Sequence, residues 1–396
     1  MFNSRLLLPF FLLIQSIEGK VKVGIDVLSE NNFSIIKNKK VGLIINHTSI
    51  NNNWESTIKI IKESNVCELV GIFTPEHGFD GTLDKYINYK DSLIYNTPVY
   101  SLYGKNLRPE KKAIKNIDYL MFDILDIGVR FYTYIGTMKY CMEVADENNI
   151  GFIVLDRPNP INGVDISGPV LDKENIFGLA GSHNLPIRHG MTPGELALLF
   201  KADGKMNLDL QIVKMEGWER KMWFDETGVP WVNPSPNIRN INQAILYPGL
   251  GLFERLNIAN KRGLPSPFEM IGAPWINPGE FVENLNKYNI PGVNFTPIKF
   301  YPENHKYKGQ LCGGIYITIT DRKKIRPVNL GFIIILSLYN LYPEEFDIDK
   351  LWHITRSKKI ISLIKNNSNI DILNNSWKES LAVFQEKRLK YLLYIE

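Results

Sequence analysis

Apolar residues in the first 160 positions come in short unbroken runs, and each run gives way abruptly to polar residues. Val41-Gly42-Leu43-Ile44-Ile45 ends in Asn46-His47-Thr48-Ser49, and Val66 to Phe73 ends in Thr74-Pro75-Glu76-His77-Gly78. Pro98-Val99-Tyr100-Ser101-Leu102 precedes Tyr103-Gly104, Tyr119 to Ile124 precedes Asp126, and Phe152 to Leu155 runs into Asp156-Arg157. Runs this short, without polar alternation, predict strands buried on both faces. Ile58 to Lys62 and Tyr134 to Asn148 read as intervening helices, and Thr192-Pro193 opens another with an N-cap and a proline at its first position. Strands alternating with helices predict an α/β fold, a parallel sheet covered by helices on both faces.

From about Trp231 the texture changes to turn-rich segments such as Pro234-Ser235-Pro236-Asn237 and Tyr247-Pro248-Gly249. Strands are expected at Val293 to Phe300 and Ile315 to Ile319, and helices at Val328 to Leu341 and near Trp377 to Tyr391. This places a smaller α+β domain at residues 241–396 after a first domain at 20–240. No repeat or low-complexity linker separates them, so the two are expected to pack tightly.

In a parallel sheet the carboxyl ends of the strands share one edge, so their polar residues converge. Glu76 is the leading catalytic candidate, with His77 beside it as an orienting or capping partner. Asp123 and Asp126 supply further carboxylates, and Asn46-His47 a polar edge. Arg130 and Arg157 are suited to gripping a carboxylate in bidentate fashion. Tyr132 and Tyr134 suit either sugar stacking or core packing.

Composition narrows the field. A net charge of +4 on 396 residues, with no dense basic stripe, predicts no nucleic-acid partner. There is no glycine fingerprint for a dinucleotide, no phosphate loop, no G-x-S-x-G elbow and no H-E-x-x-H. No cofactor is expected, and the spacing of His47, His77, Asp123, His183 and His189 carries no metal-ligand signature. Cys67, Cys141 and Cys312 are too few and too scattered for a disulfide framework. Residues 1–19 combine one cation, an apolar run from Leu6 to Ile14 and a polar exit. That pattern predicts a secretory signal peptide, and hence a secreted or periplasmic protein without stable membrane insertion.

The ordered motifs resemble those of the exo-β-N-acetylmuramidases of glycoside hydrolase family 171. The matching stretches include Asn46-His47-Thr48, Phe73-Thr74-Pro75-Glu76-His77-Gly78-Phe79 and Tyr100-Ser101-Leu102-Tyr103-Gly104. Others are Phe122-Asp123-Ile124, Arg130-Phe131-Tyr132-Thr133-Tyr134, Asp156-Arg157-Pro158-Asn159-Pro160, Arg188-His189-Gly190-Met191-Thr192, Ser235-Pro236-Asn237 and Tyr247-Pro248-Gly249-Leu250-Gly251. The resemblance implies a Rossmann-like catalytic domain without a nucleotide, a C-terminal auxiliary domain and an active cleft between them. It implies release of terminal N-acetylmuramic acid from the non-reducing end of peptidoglycan fragments, with Glu76 at the position of the family's proposed catalytic glutamate. Asn237, Glu254, Asn257 and Arg262 join the expected substrate-binding set. The chain departs from the family pattern at Leu125, at Arg255-Leu256, at Lys261 and Leu264, and in Thr82 to Tyr86.

Glycoside cleavage needs an acid at the leaving oxygen and a group that stabilises the oxocarbenium-like centre. Glu76 is the expected acid. Asp123, Asp126 and Glu254 remain open for the second role, as does the substrate's own N-acetyl group. The lactyl carboxylate of muramic acid needs a cation, and Arg130, Arg157 and Arg262 are candidates, with a structural ion pair the alternative for Arg157. A non-catalytic glycan-binding protein and a metal-dependent hydrolase using His47, His77 and Asp123 are the competing readings.

Overall fold

The computed structural model describes residues 20–81 and 92–395; the expected signal peptide and the departure at Thr82 to Tyr86 lie outside the described residues. The first part is built on strands β1 (Lys40–Ile45), β2 (Glu68–Thr74), β3 (Leu93–Ile94), β4 (Thr97–Ser101), β5 (Tyr119–Asp123) and β6 (Gly151–Leu155). A small antiparallel pair, β7 (Ser167–Val170) with β8 (Pro186–Arg188), follows, and then β9 (Leu210–Val213). Seven strands form one sheet in the order β3-β4-β2-β1-β5-β6-β9. Every pairing in it is parallel except β3 with β4.

Alternate residues of the same strands feed two different cores. Ile44, Phe122, Phe152 and Val154 face a cluster with Ile135, Met138 and Met142 of helix Tyr134–Glu147 and Leu196 and Phe200 of helix Pro193–Gly204. Leu43, Ile45, Met121, Ile153 and Leu155 face a cluster with Ile25 and Leu28 of helix Gly24–Glu30 and Ile58 and Ile61 of helix Thr57–Ser64. The unbroken apolar runs follow from burial on both faces. Helix Pro193–Gly204 starts where expected: Thr192 accepts from the Glu195 amide, and the Glu195 carboxylate accepts from the Thr192 amide.

The chain winds outward through β1, β2 and β4, then returns to the other side of β1 to lay down β5, β6 and β9. The reversal between β1 and β5 opens a crevice at the carboxyl ends of these strands.

The C-terminal part carries an antiparallel sheet, β10 (Met270–Ala273), β12 (Cys312–Ile319) and β11 (Val293–Phe300), in that spatial order. Helix Ile241–Leu250 crosses helix Pro327–Leu341 at Gly249 and Gly331, where a Cβ on either residue would collide with the backbone opposite. Leu246, Leu250, Leu330 and Ile334 belong to the same cluster as Phe122 and Val154, so one apolar core runs through both parts. The final helix is longer than expected, Ile370–Arg388, and its end returns to the first part. Among the described residues no helix is long and apolar enough to cross a membrane. Cys67, Cys141 and Cys312 are free thiols.

Candidate active site

A cleft of about 370 Å³ opens between the two parts. Three segments from strand ends form one wall: Glu76-His77 after β2, Tyr103 after β4 and Phe131-Tyr132-Thr133 after β5, with Ser235 and Asn237 beside them. The facing wall comes from the C-terminal part and contributes Tyr247, Glu254, Arg255, Lys261, Arg262 and Phe268. Phe177, Trp352, His353 and Arg356 complete the rim.

Glu76 sits at the mouth of a tight turn. The Gly78 amide donates to the Pro75 carbonyl, and His77 and Gly78 both take left-handed conformations, with φ of 70° and 71°. The left-handed region costs a non-glycine residue about 1–2 kcal/mol, and such strain clusters at functional sites. The turn leaves Glu76 half-buried in the cleft wall. Thr133 Oγ1 donates to Glu76 Oε2 at 2.8 Å. Tyr103 also hydrogen-bonds Glu76, and burial together with that carboxylate pushes the Tyr103 phenol up, keeping it a protonated donor. Two hydroxyls therefore hold the carboxyl group in place.

Glu254 is the second carboxylate of the cleft. Tyr247 Oη donates to its Oε1 at 2.8 Å, and Lys261 Nζ meets its Oε2 at 2.7 Å. Burial alone would raise its pKa, but Lys261, Tyr247 and Arg255 override that and hold it below the ordinary carboxylate value. The cations and the phenol around Glu254 therefore favour its ionised form.

Beneath the cleft lies an aromatic floor. The Tyr132 ring lies 4.8 Å from Tyr134 and 5.8 Å from Tyr247, and Tyr247 lies 4.9 Å from Phe268. Burial raises the phenols of Tyr132 and Tyr247 well above their ordinary value. Tyr134 lies below the surface, its hydroxyl donating to the Pro234 carbonyl at 2.8 Å.

Of the residues expected at the site, Glu76, His77, Tyr132, Asn237, Glu254 and Arg262 line the cleft. The others do not, each for a visible reason. Asp123 is fully buried, locked to Arg157 by bonds from Nε at 2.5 Å and Nη2 at 2.9 Å, and it also accepts from Thr57. Asp123 and Arg157 are a structural pair, the alternative considered for Arg157. Asp126 folds the following turn, its Oδ2 accepting from the Gly128 amide at 2.7 Å, with His189 Nε2 3.6 Å away. Asn46 caps its own loop through the Thr48 amide and hydroxyl. His47 bonds the Asn233 carbonyl at 2.7 Å. Asn257 ties the Glu345 carbonyl to the Asp347 amide. Arg130 is buried behind the wall, with Nη2 3.3 Å from the Ile354 carbonyl; burial, and then Arg356, lowers its pKa to about 9.

Tyr103, Thr133, Tyr247, Phe177, Trp352 and Arg356 are cleft residues that sequence reasoning left out of the site. Tyr103 and Thr133 stood inside strand-end motifs, which was the usable signal. Of the departures from the family pattern, Leu125, Leu256 and Leu264 are buried, whereas Arg255 and Lys261 line the cleft. Among the described residues no three His, Cys, Asp or Glu side chains gather as a metal site.

A doubly wound sheet thus presents a carboxylate and phenols at its strand ends, and the auxiliary lobe faces them with Glu254, Arg255, Lys261 and Arg262. The chain belongs to the exo-β-N-acetylmuramidase NamZ family: residues 41–242 match the family's N-terminal model and residues 245–394 its C-terminal model. The peptidoglycan β-N-acetylmuramidase NamZ of Bacillus subtilis (strain 168) is 42% identical over 387 residues, 95% of this chain and 92% of that protein. A crystal structure of a DUF1343 family protein from Bacteroides fragilis NCTC 9343 superposes with a TM-score of 0.88 at 35% identity, covering 95% of this chain and 99% of that one. A second DUF1343 structure from the same organism gives 0.76 at 28% identity, covering 96% and 100%.

Proposed function

We propose that this protein is an exo-acting glycosidase that releases terminal β-N-acetylmuramic acid from the non-reducing end of peptidoglycan fragments, with Glu76 as the proton donor to the leaving oxygen. The observation that carries this is the placing of Glu76: a carboxyl group held by Thr133 and Tyr103 in the wall of a cleft between the two parts, which also holds the carboxylate of Glu254. The family relationship supplies the substrate. Arg262, the one of the three candidate arginines that lines the cleft, takes the lactyl carboxylate. The apolar run in residues 1–19 supports export, so the protein works outside the cytoplasm; the amino-terminal sequence of the mature protein tests that. We propose a domain division at residue 240, just before helix Ile241–Leu250.

The test is hydrolysis of a chromogenic β-N-acetylmuramide by residues 20–396, beside Glu76→Gln, with the β-N-acetylglucosaminide as control. Turnover of the muramide alone, lost in Glu76→Gln, is the expected outcome. A folded wild-type protein that binds the sugar without cleaving it would turn the assignment into that of a binding protein.

A further inference from the structure

The cleft lining falls into two groups of different exposure. Tyr132, Ser235, Tyr247 and Phe268 are buried. Phe177 is 51% exposed although its ring is large and apolar, His353 is exposed and Trp352 half-buried. Phe177 is nevertheless firmly placed. The Arg356 guanidinium lies 3.6 Å from its ring centroid, and the same guanidinium donates to the Asn175 carbonyl at 3.0 Å and the Phe177 carbonyl at 2.6 Å. The Phe177 amide donates to the Gly181 carbonyl at 3.0 Å. Trp352 stacks beside the ring at 6.3 Å and 30°. One face of Phe177 is thus covered by a cation, an indole stacks alongside, and about half of the residue's surface stands in water at the rim of the cleft.

An exposed aromatic ring that is fixed in advance loses little entropy when something flat packs on it. An enzyme that removes a terminal sugar encloses that sugar and leaves the next one in the open. We infer that Phe177, backed by Arg356 and flanked by Trp352, is the platform for the second sugar of the substrate, the one that departs when the glycosidic bond breaks. This rests on the glycosidase reading above. The ring touches no reacting atom; its packing on a remote sugar positions the scissile oxygen against Glu76, the use of distant binding energy that truncated substrates forfeit.

The experiment compares two substrates in wild type, Phe177→Ala and Phe177→Tyr. One is the disaccharide of N-acetylmuramic acid β-linked to N-acetylglucosamine; the other is β-N-acetylmuramyl fluoride, whose leaving group is too small to reach the platform. The expected result is that Phe177→Ala lowers kcat/KM on the disaccharide about tenfold, which corresponds to about 1.4 kcal/mol. The fluoride should stay within about twofold and Phe177→Tyr should recover most of the loss. Equal losses on both substrates would mean a structural role and overturn the platform, as would no loss on either. Wild type that cleaves neither substrate sinks the glycosidase reading itself, a result distinct from any change confined to the Phe177 variants.

Discussion

At the scale of single residues, the site turns on how its two carboxylates are held. Glu76 accepts from two neutral hydroxyls, whereas Glu254 is bonded by a phenol and an ammonium. The ammonium beside Glu254 favours its ionised form. Thr133→Ala should lower kcat about fivefold with little change in folding, a loss consistent with one hydrogen bond worth about 1 kcal/mol; steady-state kinetics and a melting curve check both halves. Glu254 titrates below its ordinary 4.5 in the folded protein. Its contribution to stability is therefore complete above the unfolded pKa and is lost as pH falls through the lower, folded value. Lys261→Met removes the main cause of the depression, so the acid limb of stability should move up in pH, with a loss of about 1–3 kcal/mol at neutral pH. Urea midpoints from pH 3 to 7 would show this, and an unmoved acid limb would refute it. The position of Glu76 was legible in the sequence because a polar stretch after a buried apolar run falls at the carboxyl edge of a parallel sheet. The burial of Asp123 was not legible: its partner Arg157 sits 34 residues later at the end of the adjacent strand, and only the β5–β6 pairing brings the two together.

At the scale of elements, strand ends make one wall and irregular loops make the other. The parallel strands were readable because burial on both faces removes polar alternation. Strand β9 was missed because it is a half-buried edge of four residues carrying Gln211, and β10 because its four residues sit among turns. The loop that carries Glu254, Arg255, Lys261 and Arg262 has no periodic signal at all. It is held from outside by Lys306, whose ammonium meets the carbonyls of Phe253 at 3.4 Å, Glu254 at 3.1 Å and Ile258 at 3.2 Å, and that of Leu256. Burial, then Lys261, lowers the Lys306 pKa to about 8. Above pH 8 one of its donors is lost and the loop loosens, so kcat/KM should fall on the alkaline side. Stability behaves oppositely for this group. Between about 8 and the ordinary 10.5 the unfolded chain holds more protons at this site than the folded one, so stability gains from rising pH. Lys306→Met should lower kcat/KM across the range and remove that alkaline limb, read from a pH–rate profile of both proteins. The Asp123–Arg157 pair does the corresponding work for the first wall, joining β5 to the loop after β6 and, through Arg157 Nη2, to the Ile50 carbonyl. Asp123→Asn leaves a buried guanidinium short of its countercharge, so it should cost about 3–5 kcal/mol of stability while the folded fraction keeps its kcat. Denaturant melts paired with kinetics below the midpoint separate that outcome from a catalytic role.

At the scale of the whole molecule, the cleft exists only while the two parts keep their relation. Besides the shared apolar core, the chain end ties them. After helix Ile370–Arg388, Arg388 Nη2 donates to the Val164 carbonyl at 2.8 Å, and the Leu393 amide donates to Glu195 Oε1 at 2.9 Å. Tyr394 Oη donates to Asp156 Oδ2 at 2.5 Å and accepts from the Met215 amide at 3.1 Å, while its ring meets Trp218 edge-on at 5.1 Å. Asp156 also accepts from Thr192 Oγ1 at 2.7 Å and the Gly194 amide at 2.8 Å. The tail therefore plugs the start of helix Pro193–Gly204, on the first part's own sheet, after a helix that began in the second. Nothing in the local sequence marks Tyr394 for this, because its partners lie 179 and 238 residues earlier. Each bond is worth about 1 kcal/mol net, and burial of the ring adds about 1.5–3 kcal/mol. Tyr394→Ala should then lower the melting temperature of the whole protein by several degrees, and a single transition should persist because the two parts share one core. Should the variant instead melt in two steps, with the cleft lost in the first, the tail rather than the core would be what holds the walls together. Calorimetry of the full chain, read beside muramide turnover along the same temperature ramp, decides between the two.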